Sequence, residues 1–85
     1  MYKIIFSKQA GKDAKKIEAG GLKSKVIELL KLIKKNPYVY PPEYEFLEGK
    51  MEGSISRKIS KQHRLVYEVL SKDTIRVLRM WTHYE

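Results

Sequence analysis

The chain has 85 residues, 18 Lys and Arg against 10 Asp and Glu, a net charge of +8 and no cysteine. That length supports one domain with one thin core, and the lack of cysteine excludes a disulfide framework, a thiolate metal site and a cysteine nucleophile. The charge favours anionic partners, nucleic acid ahead of an acidic protein and a membrane surface last. The N-terminal apolar run is far shorter than the roughly 20 residues of a membrane span and shorter than a signal-peptide core, so a soluble, cytoplasmic protein without membrane association is expected.

Tyr2 to Phe6, "YKIIF", reads as a short strand, and Ser7 is placed to cap a helix. Ala10, Ala14 and Ile17 recur at helical spacing, and Gly20-Gly21 ends that helix. A cleaner amphipathic helix follows, with Leu22, Val26, Leu29, Leu30 and Ile33 on one side, and Asn36-Pro37 stops it. From Pro37 to Tyr44 the prolines predict an extended loop with stiff geometry at Pro41-Pro42. The period then changes to two. "SISRKIS" sets Ile55, Arg57 and Ile59 against Ser56, Lys58 and Ser60; "RLVYEVL" and "TIRVLRMW" read as further strands, separated by the turn residues Ser71-Lys72-Asp73.

The predicted fold is α+β, in the order β-α-α-β-β-β. Two N-terminal helices pack on one face of a small twisted, mainly antiparallel four-stranded sheet, with residues 1–85 as a single domain. Such a sheet can leave its other face open, and function carried by the sheet belongs there. Alternation puts Arg64, Val66 and Glu68 opposite to Leu65, Tyr67 and Val69, and Lys58 opposite to Arg57. Lys58 and Arg64 are therefore predicted neighbours on the open face, with Arg57 turned away.

Familiar chemical signatures are few. His63 and His83 lack the close ligand pairing of zinc motifs, and there is no Gly-rich phosphate loop, no Gly-x-Ser-x-Gly and no helix-turn-helix pair. Basic residues interleave with Tyr38, Tyr40, Tyr44, Tyr67, Trp81 and Tyr84, a mixture that suits RNA by holding phosphates and stacking on bases. The same composition fits a Lys-rich solvated surface over an aromatic-containing core. His83 fits either an exposed bystander or a group that transfers protons at neutral pH.

"EGSISRKI", "QHRLVYEV" and "RMWTHYE" together resemble the Txe/YoeB branch of the RelE-type bacterial toxins, and "YEFLEGKMEGS" is similar to the loop that precedes the first of these motifs in that family. The resemblance runs from about Lys25 to Glu85, and more loosely over "YKIIFS". It implies the toxin of a toxin-antitoxin pair that cuts messenger RNA in the ribosomal A site without a cofactor or metal. Carried over by position, Glu45 is the general base, Arg64 the phosphate-stabilising residue, His83 the general acid and Tyr84 its support. Lys58, Arg57 and Trp81 are expected to contact RNA. Lys58 stands where an arginine is usual, and it offers a point charge instead of a planar fork. Phe46 and Ile55 also depart from the family pattern, at positions of side contacts.

The implied partners are a YefM/Phd-like antitoxin, the ribosome with message in its A site, and operator DNA only through the toxin-antitoxin complex; a homodimer is a further expected assembly. The substituted Lys58 leaves a second reading open, a domain of the same fold that binds RNA, ribosome or antitoxin but cuts weakly.

Overall fold

The computed structural model describes residues 1–81. β1 (Lys3–Phe6) enters α1 (Lys8–Ala19) through Ser7, whose hydroxyl accepts from the Ala10 N–H at 3.0 Å and donates to the Leu78 carbonyl at 2.9 Å. The predicted cap thus also ties the helix start to β5, the strand that pairs with β1. α1 buries Ala10 and Ile17 as expected, but Ala14 is exposed and Asp13 is buried instead. The Asp13 carboxylate accepts the Met80 backbone N–H at 3.0 Å and the Gln9 amide at 2.9 Å, which offsets the cost of burying it. Gly21, at φ 74°, turns the chain out of this helix in a conformation that side chains resist. α2 (Lys23–Lys35) buries Val26, Leu29 and Ile33, with Leu22 and Leu30 packed at the edge of the same cluster.

β2 (Tyr44–Phe46), β3 (Ile55–Lys58), β4 (Arg64–Ser71) and β5 (Thr74–Arg79) complete a five-stranded sheet in the order β1-β5-β4-β3-β2. The sheet therefore has one strand more than the sequence predicts. The extra strand is β2, whose three residues are too few to display an alternation and follow directly on the proline loop. β1 pairs parallel with β5, and the other pairs are antiparallel. Ile55, Leu65, Tyr67, Ile75 and Val77 form the helix-covered face and join the helix residues in one core. In the β4–β5 turn, hydrogen bonds from the Ser71 and Thr74 hydroxyls hold the Asp73 carboxyl below its ordinary value.

Arg57 is the main surprise of that covered face. It shares the parity of Ile55 and Ile59, as the alternation predicts, and only 1% of it is exposed. Its Nε donates to the Tyr67 hydroxyl at 2.9 Å, Nη1 to the Pro42 carbonyl at 2.5 Å, and Nη2 to the carbonyls of Val39 at 2.7 Å and Pro37 at 3.2 Å. The Tyr67 hydroxyl in turn donates to Pro37 at 2.6 Å, and the guanidinium lies 4.5 Å from the centre of the Tyr44 ring. Burial pushes the Tyr67 phenol above its usual 10.0, against the opposing pull of Arg57, so at neutral pH it keeps the proton it donates. Arg57 thus fastens the proline loop, and β2 after it, to the sheet. The expected RNA contact at Arg57 is corrected: its donors are spent inside the protein.

Trp81 is likewise committed to packing. Its ring stacks on His63 with centroids 4.0 Å apart, its carbonyl accepts from His63 Nδ1, and a Cβ on Gly20 would sit only 3.2 Å from the indole. The expected RNA stacking by Trp81 gives way to an anchor between β4's approach and the end of α1. Trp81→Ala is expected to lower stability by about 2 kcal/mol, a fall in Tm on the order of 10 °C. An unchanged thermal melt followed by circular dichroism would contradict this role.

Candidate functional site

The face away from the helices holds the polar side chains. On it β2, β3 and β4 bring Glu45, Ser56, Lys58 and Arg64 together, because Glu45 is the ladder partner of Ser56 and Lys58 that of Arg64. These four, with Glu43 and Tyr44, line an open cavity of about 220 Å³. Ser56 and Lys58 are two residues apart on one strand, so their side chains rise from the same face roughly 7 Å apart. Glu45 and Lys58 are exposed, Arg64 is half-buried, and Ser56 forms the buried floor beside Val66.

The chemistry of this cluster is specific. A carboxylate that can only accept stands across from two cations that can only donate, around a space large enough for a phosphate group. Neither Lys58 nor Arg64 is bridged to a carboxylate among the described residues, so both cations are available to an anion. Further along the same face Arg76 is neutralised by Glu68 at 2.6 Å, whereas Arg79, the ladder partner of Val66, adds another positive charge. A second cavity, of about 280 Å³ between the helices, is lined mostly by apolar side chains such as Phe6, Val26, Ile27 and Leu30 and gathers no comparable polar set. Among the described residues, no three His, Cys, Asp or Glu side chains come together as metal ligands.

Of the residues singled out from the sequence, Glu45, Lys58 and Arg64 converge at the pocket. Arg57 lies behind it, and Trp81 packs on His63 and Gly20. His83 and Tyr84 lie outside the described residues. Ser56 and Tyr67 were missed as site residues. For Ser56 a signal existed, since the alternation already groups it with Lys58; for Tyr67 the signal would have been Arg57 itself, a cation on a covered face that needs acceptors.

A family model described as "YoeB-like toxin of bacterial type II toxin-antitoxin system" matches residues 6–84. The chain belongs to this YoeB-like toxin family. Solved structures agree. A YoeB-YefM complex from Staphylococcus aureus contains a chain 33% identical, covering 99% of both chains with a TM-score of 0.82. The YoeB dimer from the same organism is 34% identical over 98% of each chain, also with a TM-score of 0.82. A YoeB/ParE toxin from Agrobacterium tumefaciens is 26% identical and covers 96% of this chain and 99% of that one, with a TM-score of 0.85. No curated protein sequence matches significantly. In this chain the fold carries the five-stranded sheet described above, and among the described residues no helix is long and apolar enough to cross a membrane.

Proposed function

We propose that this type II toxin is a ribosome-dependent endoribonuclease that cuts messenger RNA in the A site by acid-base catalysis, without a cofactor. The observation that carries this reading is the convergence of Glu45, Lys58 and Arg64, from three strands, on one phosphate-sized pocket.

RNA cleavage of this kind requires a proton taken from the 2′-OH, stabilisation of the charge that builds on the phosphorane, and a proton given to the departing 5′-oxygen. Glu45 is the acceptor at the pocket and takes the first role; Arg64 and Lys58 supply the donors for the second. His83, by its position in the family pattern, supplies the third with Tyr84 beside it. Attack by the 2′-oxygen on phosphorus breaks the bond to the 5′-oxygen, leaving a 2′,3′-cyclic phosphate, which opens to a 3′-phosphate, and a 5′-OH end. Each positioned acid or base contributes about 10² to 10⁴-fold, so the groups act on a strand already held in line. The ribosome supplies that alignment.

The proposed antitoxin is YefM/Phd-like, as the Staphylococcus aureus YoeB-YefM complex supports, and an acidic segment suits a +8 surface. Operator DNA is bound only through the pair, and the Staphylococcus aureus dimer supports a homodimer of this chain as a further assembly. The cytoplasm, where the message and ribosomes are, is the proposed site of action. One observation favours a second reading: Lys58 cannot hold a phosphate bidentately, which suits a domain that binds but cuts weakly. Primer extension on message from a translation extract decides between them. New 5′ ends with wild type that disappear with His83→Ala are expected; ribosome binding without new ends supports the binding domain.

A further inference from the structure

Among the described residues, buried polar side chains such as the Asp13 carboxylate and the Arg57 guanidinium are hydrogen-bonded. The Ser56 hydroxyl is the exception: only 1% of the residue is exposed, and it is the one buried side-chain polar atom among the described residues without a hydrogen-bond partner. Burying a hydroxyl without a protein partner costs stability, and a group retained in that position calls for an explanation. Its location supplies one. Ser56 lines the pocket, across from Glu45 and two residues along β3 from Lys58.

We propose that the Ser56 hydroxyl is a substrate-contacting group, donating a hydrogen bond to a non-bridging oxygen of the RNA phosphate bound between Lys58 and Arg64. This rests on the ribonuclease reading given above. Lys58 and Arg64 have protons to give and no lone pair to receive one, so neither can take the Ser56 proton. A phosphate drawn in by the two cations brings acceptor oxygens into the space above the floor. The hydroxyl then adds a neutral donor on the side facing Glu45, preorganised because the strand holds it before the ligand arrives.

Ser56→Ala separates this role from a structural one because the two predict opposite changes. Removing an unsatisfied hydroxyl leaves the thermal midpoint unchanged or raises it, whereas cleavage of an A-site codon is expected to fall roughly 10- to 100-fold. Replacing the contacted non-bridging oxygen by sulfur should slow wild type and add nothing further in Ser56→Ala. The acidic limb of the pH-rate profile should stay in place. Equal cleavage by Ser56→Ala and wild type overturns the proposal, as does a loss tracked by a lower thermal midpoint. A loss with a shifted acidic limb also overturns it, since the hydroxyl would then act through Glu45. If wild type itself makes no more cuts than Glu45→Gln, the ribonuclease reading fails and takes this contact with it.

Discussion

Arg64→Ala should reduce message cleavage by about 10² to 10³-fold, the loss that follows removal of one preorganised charged donor from a developing oxyanion. Arg64 is half-buried at the rim of the pocket and no side-chain partner within the protein depends on it among the described residues, so the fold should be nearly indifferent. A surface change of this type stays within about 0.5 kcal/mol, less than about 4 °C in Tm for a domain of this size. Quantitative primer extension beside a thermal melt checks both halves. A large fall in Tm would make Arg64 a structural residue, and unchanged cleavage would remove it from the mechanism. Lys58 gives the graded comparison. Lys58→Arg restores the bidentate fork and is expected to raise the rate, whereas the same change would do nothing in a domain that only binds.

Arg57→Ala should act in the opposite manner, on the fold first. It removes four donated hydrogen bonds at once and leaves the Val39 and Pro42 carbonyls and the Tyr67 hydroxyl short of a partner in a buried setting. The expected loss is about 4 kcal/mol, a large part of the roughly 5 to 15 kcal/mol that holds a domain together. Urea denaturation of Arg57→Ala, Arg57→Lys and Tyr67→Phe would show the ordering: the alanine worst, the other two milder because each keeps part of the network. Had Arg57 contacted RNA, Arg57→Lys would spare the urea midpoint and weaken only substrate binding. The network also bears on Glu45, since the guanidinium packs on Tyr44, its chain neighbour. A displacement of about 1 Å at a reacting group can cost on the order of 10²-fold in rate, so folded Arg57→Lys should also cut more slowly.

Periodicity was enough to locate both helices and the three strands of the meander, because β4 and β5 are long and the alternation around the four-residue β3 continues through Ile59 and Ser60. Parity also put Lys58 and Arg64 on the same open face and turned Arg57 away, whereas the register that makes Lys58 and Arg64 ladder partners came with the structure. β2 escaped notice because three residues carry no pattern, and with it went the ladder that sets Glu45 opposite Ser56. Asp13 escaped for another reason: its burial depends on the backbone N–H of Met80, a partner 67 positions away that no local window contains. Trp81 was read as a base-stacking ring because composition records that an aromatic exists and leaves open what it packs on. The resemblance to the toxin family supplied Glu45 as a candidate, a role that one glutamate among several nearby could not claim by composition.

The parallel pairing of β1 with β5 sets Lys3 beside Thr74 and Phe6 beside Val77. During synthesis the first strand therefore has no edge to join until the last strand has been made, and the helices wait over an unfinished sheet. Local helix formation can begin early, but the long loop must close before the core gains from it. The core is completed only once β5 is made, although β2, β3 and β4, which line the pocket, precede it in the chain. The first strand made is therefore among the last to be paired.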